Sequence, residues 1–334
     1  MPRPAFAPAS RRSSGALAIL AAILIVLASS SCSDSGTAPE QVLLPCASVM
    51  WNGHDAAFTF SSDDNNIENM EWAEVFRARG LRFTVFTVPR WVGRSEKLGW
   101  AELNRLARED FEIGGHGLAH LDLTKLSEPE LRRELKGSRD TLNLMITDRH
   151  YRCRVMAYPY NSHDERVMAM AAQYYEAVRD GGLGGNLITT QRGGVALWDS
   201  VSLYQVPQTH TITHFVDRNR NDEATTRASV REFVPIWKER RLWVNVSVHN
   251  REDCDAEHLA WVLDEILADG GVWIAPFGEV AAYYRRRCRD DEVTGLPEGE
   301  ASGISESCDE RGRDLDPGPG LGHGYPGVDS RKPR

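Results

Sequence analysis

The feature that most constrains this chain is an alternation. From Ala56 to Arg286, short runs of β-type apolar residues take turns with amphipathic helical stretches. The periodicities predict strand over Ala56–Phe60, helix over Asn69–Arg79 ended by Gly80, strand over Leu81–Val88, helix over Trp100–Glu109 and strand over Phe111–Ile113. Ser127 with Glu130 forms a capping-box pattern, and Leu131, Leu135, Leu142 and Met145 then mark a helix with one apolar face. Further on come strand Arg154–Tyr158, helix Asp164–Val178, strand Tyr204–Phe215, helix Ala228–Lys238, strand Leu242–Val248, helix Asp255–Ala268, strand Val272–Ala275 and helix Gly278–Arg286. A strand that returns through a helix re-enters the sheet in the same direction. The expected class is therefore α/β with a parallel sheet, open or closed into a barrel. There is no internal repeat. The run Gly181–Gly185 lacks the Lys-Ser/Thr of a phosphate loop and does not fit GxGxxG, so it reads as a flexible loop.

Composition sets the outer limits. With 334 residues, 41% apolar and 26% charged, the chain can bury a large core, which excludes a wholly disordered protein and a miniprotein held by disulfides alone. Its 48 acidic and 39 basic residues leave a net charge of −9, which argues against nucleic acid as a partner, since phosphate binding needs clustered Lys and Arg. Residues 1–15 carry Arg3, Arg11 and Arg12 and no acid. The apolar run Ala16–Ala28 is 13 residues long, against the roughly 20 that span a bilayer. Ser29, Ser30 and Ser31 then lead to Cys32, so residues 1–31 read as an export signal. The Cys after small residues resembles a bacterial lipoprotein cleavage site, although Ser29 stands where such sites favour Leu; a plain secretory signal is the alternative. The first reading implies a chain anchored to a bacterial membrane through lipidated Cys32, facing the periplasm or the exterior.

Residues 32–45 read as a tether, 46–288 as one domain, and 289–334, with PEGE, DPGPG and GHGYPG and no apolar periodicity, as a disordered tail. Loss of residues 1–31 removes three positive charges and takes the net charge to −12. Cys46, Cys153, Cys254, Cys288 and Cys308 follow Cys32; none forms CxxC, so a cysteine zinc site has no support, and their pairing is open.

Enzymes on parallel sheets place function in loops at the carboxyl ends of strands. Four polar elements stand there: Ser61-Ser62-Asp63-Asp64-Asn65, Gly114-Gly115-His116-Gly117-Leu118-Ala119-His120, Pro159-Tyr160-Asn161, and His249-Asn250. His116 and His120, four apart, would lie on one face of a helical turn, close enough to share one metal ion. Adjacent carboxylates on a loop can split roles, Asp64 to the metal and Asp63 free as a base. Two His and one carboxylate form a common hydrolytic zinc set. Gly117 stands where the HExxH zincin motif needs its Glu. His210 and His214, on a stretch read as strand, would lie about 13 Å apart, too far to share a metal. His54, His150, His163, His258 and His323 show no partner pattern.

These elements, in this order, resemble the polysaccharide deacetylase family (NodB homology, carbohydrate esterase 4). Phe58-Thr59-Phe60-Ser61-Ser62-Asp63-Asp64 resembles its first motif, His116-Gly117-Leu118-Ala119-His120 its second, Ala157-Tyr158-Pro159-Tyr160 its third and Ser247-Val248-His249 its fifth. Gly271-Val272-Trp273-Ile274 leading into Glu279–Tyr284 is also similar to the family. The resemblance implies a distorted, NodB-like (β/α) barrel of about seven strands. It implies Asp63 as catalytic base, Asp64, His116 and His120 as ligands of a divalent metal with Zn²⁺ expected, Tyr160 as oxyanion donor through its backbone N–H, and His249 as general acid. The implied reaction removes N- or O-linked acetyl groups from an extracellular or cell-wall polysaccharide.

The chain departs from the family at four places. Asn65 replaces a Gly, Gly117 replaces a Ser or Thr, and Ala157 stands where many members have an Arg that orients the base; Arg179 is the candidate substitute. The fourth motif has no clear counterpart, Trp198-Asp199 being one candidate. These departures leave two other readings open: a non-catalytic glycan-binding lipoprotein on the same fold, and an amide hydrolase acting on a non-sugar substrate.

Overall fold

The computed structural model describes residues 50–183, 186–190, 193–197, 203–208 and 222–294, without side chains for part of these. Its elements are β1 (Ala56–Ser62), α1 (Asn69–Arg77), β2 (Thr84–Thr87), α2 (Trp100–Arg108), β3 (Glu112–Gly115), α3 (Glu128–Met145), β4 (Val155–Ala157), α4 (Glu165–Ala171), β5 (Ala177–Leu183), β6 (Asn186–Thr190), β7 (Gly193–Leu197), β8 (Val206–Gln208), α5 (Glu223–Glu239), β9 (Trp243–Val248), α6 (Ala256–Asp269), β10 (Val272–Ile274) and α7 (Phe277–Thr294). The chain divides after Cys288, and the fold described is that of the first unit. No helix among the described residues is long and apolar enough to cross a membrane.

The main sheet is parallel throughout. β1 pairs with β2, β2 with β3, β3 with β4, β4 with β5, and β5 with β8. β9 lies along β1 from Ala57↔Trp243 to Ser62↔Val248 and approaches β8, so seven strands make a nearly closed barrel. β10 distorts the ring by pairing only with the first residues of β1, Ala56 to Phe58, while β2 takes Ser61 and Ser62. The fold is therefore the α/β barrel that the alternation predicts. β6 and β7 form a separate antiparallel hairpin that the periodicities do not reveal.

The two faces of each strand have different tasks. Phe58 and Phe60 of β1 point outward and pack under the helices with Trp72, Phe76, Phe83 and Phe111. Phe60 meets Phe83 edge-on at 5.5 Å, and Phe83 meets Phe111 at 5.4 Å. Ala57 faces inward with Phe86, Val155, Ala157, Ala177, Val206, Trp243 and Phe277. The amino end of α7 closes the lower mouth, where Phe277 N–H donates to Thr84 Oγ1 (2.9 Å) and Gly278 N–H to Glu112 Oε2 (2.9 Å).

Some boundaries differ from expectation. The helix expected over Asp164–Val178 stops at Ala171, because Ala177 and Val178 are taken by the ladder with Val155 and Met156. Gly181 and Gly182 belong to β5, not to a loop. α5 begins at Glu223 rather than Ala228, since Asp222 caps it by accepting from Thr225 N–H at 2.9 Å. Of the strand expected over Tyr204–Phe215, Val206–Gln208 is seen; His210, His214 and Trp198-Asp199 lie outside the described residues.

Candidate active site

The inward face of β1 becomes polar toward its carboxyl end. Below Asp63 sit Ser61, which donates to Val246 O (3.3 Å), and Thr59, which donates to Asn245 Oδ1 (3.1 Å) and accepts from Trp243 Nε1 (3.1 Å). The strand thus delivers Asp63, buried, to the top of the barrel. Asp64 and Asn65 follow with φ of 68° and 42°, a reversal that turns the two neighbouring carboxylates in different directions. Asn65 holds the left-handed backbone where the family has Gly, and its Oδ1 accepts from Val88 N–H at 3.0 Å.

β3 ends beside this loop and supplies the histidines. They do not sit on a helical turn, as the spacing suggests. Residues 116–120 form an irregular loop with Gly117 at φ 68° and His120 at φ 60°, which folds the two rings to 4.8 Å apart. The His116 Nε2 and His120 Nε2 atoms lie 3.6 and 3.5 Å from Asp64 Oδ1, and one ligand atom from each residue lies within 4.8 Å of the others. His116 Nδ1 is 2.8 Å from Ala157 O, which makes it the protonated nitrogen of a neutral ring and leaves the Nε2 lone pair facing Asp64. Burial, with His116 adding to it, lowers His120 to about 4, so its ring is neutral at neutral pH.

Trp91 stacks on the His120 ring at 4.8 Å and Tyr160 meets its edge at 4.5 Å, which fixes its orientation. Asp64 Oδ1 is buried and has no hydrogen-bond partner among the described residues, while two imidazole nitrogens face it at more than hydrogen-bond length. A carboxylate oxygen orphaned in this way, with two neutral imidazoles, fits a divalent cation.

Asp63 is held otherwise. Its Oδ2 accepts from Arg179 Nη2 and lies 3.8 Å from His249 Nε2; Arg179 Nη1 donates to Ser247 Oγ at 3.2 Å. Burial pushes the Asp63 carboxyl up, but Arg179 first, then His116 and His249, outweigh it and keep it below its ordinary 3.8. Arg179 is itself 1% exposed. It is the ladder partner of Ala157, so the guanidinium missing at position 157 arrives from the paired residue one strand over.

His249, at the end of β9, is gripped by Asp253, which accepts from His249 N–H (2.7 Å) and stands 3.3 Å from Nδ1. That hydrogen bond raises His249 above its ordinary 6.5. Tyr160 is 66% exposed, with φ 57°, on the short turn Pro159–Asn161 after β4. Asp63, Asp64, His116, His120, Tyr160, Arg179 and His249 all line one cleft of about 300 Å³.

Two contributors escape sequence reading. Asp253 could be found from its spacing of four after His249. Glu134, on α3, could not. It is 4% exposed, and its Oε2 accepts from Ala119 N–H at 2.9 Å, bracing the loop between the two histidines. A Cβ at Gly117 would stand 3.2 Å from Pro159 Cγ and 3.3 Å from Glu134 Oε2, at a φ that disfavours side chains. The glycine is thus what this loop requires. Of the remaining histidines, His258 closes on its cap residue Asp255 (2.9 Å), and His163 stacks on Tyr158 at 4.8 Å.

A parallel barrel with polar groups gathered at the carboxyl ends of its strands defines an α/β enzyme-type scaffold. Residues 53–177 match the family model described as polysaccharide deacetylase, so this part of the chain is a domain of that family. No curated protein sequence matches significantly. Among solved structures, a mutant of the peptidoglycan deacetylase PdaC from Bacillus subtilis is similar at 16% identity (TM-score 0.45), covering 72% of this chain and 98% of that one. A polysaccharide deacetylase from Bacillus cereus aligns at 20% identity (TM-score 0.38) over 45% of this chain; the alignment spans 46% of that protein. A pseudoenzyme of carbohydrate esterase family 4 from Bacillus anthracis aligns at 14% identity (TM-score 0.47), covering 67% of this chain and 65% of that one.

Proposed function

We propose that the protein is a metal-dependent hydrolase that removes acetyl groups, N- or O-linked, from a polysaccharide outside the cytoplasm. The observation that carries this reading is the convergence of Asp64, His116 and His120 within 4.8 Å, in one cleft with the Asp63–Arg179 pair and His249. A divalent cation, with Zn²⁺ the first expectation, would be held by those three residues and would supply Lewis-acid polarisation of the acyl carbonyl and acidification of a water. The remaining steps belong to the chain's own groups. Asp63, ionised beside Arg179, accepts the water proton at Oδ1, the oxygen without a hydrogen bond, as the new C–O bond forms. The Tyr160 backbone N–H steadies the oxyanion, a role worth about 3 kcal/mol per donor in other enzymes. His249, protonated and oriented by Asp253, donates from Nε2 to the leaving nitrogen or oxygen as its bond to the acyl carbon breaks. Acetate and a free amine or alcohol result. The basic segment, apolar run and Cys32 support export and a lipid anchor.

The test is metal content and acetate release from N-acetylglucosamine oligomers, acetylated xylan and peptidoglycan. His116→Ala and Asp64→Ala should each lose bound metal, and Asp63→Asn should keep metal and lose turnover. Full activity in a metal-free Asp64→Ala protein would overturn the assignment. Glycan affinity with metal but no acetate would point to a binding protein instead.

A further inference from the structure

Within the cleft, almost every charged group is already committed. Asp63 is engaged by Arg179, Asp64 faces the two histidines, His249 is gripped by Asp253, and Arg179 divides its donors between Asp63 and Ser247. Asn161 is partly used, since its Oδ1 accepts from Gly181 N–H at 2.9 Å. One lining residue stands apart. Gln208, the last residue of β8, is 7% exposed, lines the same cleft as the metal candidates, and has no hydrogen-bond partner among the described residues. It stands opposite Leu183 on the ladder with β5, two residues beyond the pairing of Val206 with Arg179, and so projects at the level of the catalytic groups.

A carboxamide more than nine-tenths buried with neither its C=O nor its NH₂ paired is costly, and its persistence calls for a partner that arrives from outside. We infer that Gln208 is a substrate-recognition residue, and that what it takes is an uncharged hydrogen-bonding group of the substrate, a hydroxyl or acetamide beside the scissile acyl bond, rather than a carboxylate. Neutral groups suit it for two reasons. Gln offers one acceptor and two donors without charge. No uncommitted cation lines the cleft among the described residues to balance a substrate carboxylate. The inference rests on the deacetylase reading for the identity of the cleft, but not for its test.

The experiment compares the wild-type chain with Gln208→Leu on tetra-N-acetylchitotetraose and acetylated xylotetraose, both uncharged, and on a muramic-acid-containing fragment that bears a carboxylate. Calorimetric affinity, acetate release, metal content and thermal stability are the readouts. The expected result is binding of at least one uncharged oligosaccharide, weakened about tenfold or more in Gln208→Leu. Metal content should be unchanged, and the melting temperature without ligand unchanged or higher, because a buried unpaired amide has been replaced by an apolar group of similar size. A variant that binds as well as wild type, or a wild type that binds only the carboxylate-bearing fragment or none of the three, overturns the inference. Binding that depends on Gln208 but releases no acetate leaves it standing and overturns the deacetylase reading. Acetate release unaltered in the variant does the opposite.

Discussion

Asp253 controls the proton inventory of the site through one hydrogen bond. It raises His249 above its ordinary 6.5, and a general acid must carry its proton, so turnover should hold below the raised value and fall as pH climbs through it. Asp253→Asn removes the negative charge that favours the protonated ring. The alkaline limb of kcat/KM should therefore move to lower pH, with metal content unaltered; an unmoved limb would remove His249 from the acid role. At this scale the sequence was informative where chemistry follows a strand end. The positions of Asp63, Asp64, His116, His120, Tyr160 and His249 could be singled out because each stands just past an apolar β run, and all line one cleft. Glu134 and Gln208 stayed invisible, because a Glu on a mostly polar helix and a Gln in a Thr- and Val-rich run carry no periodic signal. Only burial marks them.

Elements explain how the site is assembled from an unusual set of positions. Arg179 and Ala157 are ladder partners on β5 and β4, so one guanidinium can serve Asp63 from either strand only if the other position stays small. Arg179→Ala should leave Asp63 buried without its cation, a loss of about 3–5 kcal/mol in stability by the general behaviour of broken buried pairs, together with turnover. Adding Ala157→Arg to that variant should recover part of both, while Ala157→Arg alone should overpack the barrel; urea denaturation and acetate release read the set. On α3, Glu134→Ala removes the acceptor of Ala119 N–H. Metal affinity should drop while Glu134→Gln, which keeps an acceptor oxygen, restores it. Equal affinity in all three proteins would make Glu134 irrelevant to the loop. β5 also shows why element boundaries were misread. The apolar run after Asp164 continues past Ala171 in helical style, yet pairing with β4 captures Ala177 onward. Gly181 is accepted inside the strand because the Asn161 amide occupies the place a side chain would need, 2.1 Å from its Cβ position.

For the whole molecule, the parallel barrel followed from the strand–helix alternation, whereas its closure did not, since β9 lying along β1 is a contact between segments about 190 residues apart. The lower mouth sets a second pH dependence. Glu112 is buried, and burial raises its carboxyl above the ordinary 4.5 despite the bonds from Gly278 and Thr84. A raised acid favours the folded state most when protonated. This contribution is present below 4.5 and is lost as pH climbs through the raised value. Glu112→Gln should flatten that decline, making the protein relatively more stable at pH 7 than the parent when both are unfolded in urea; parallel pH profiles would refute it.

The ladder pairing of Ala157 with Arg179 also bears on how relatives of this chain are sorted. Side chains on adjacent parallel strands share a level, so a task can migrate sideways by one strand without any change in the fold. A search that demands arginine at a single alignment column would discard such chains as inert. A search for one arginine at either of two neighbouring columns would keep them, and would separate chains that relocated the group from chains that lost it.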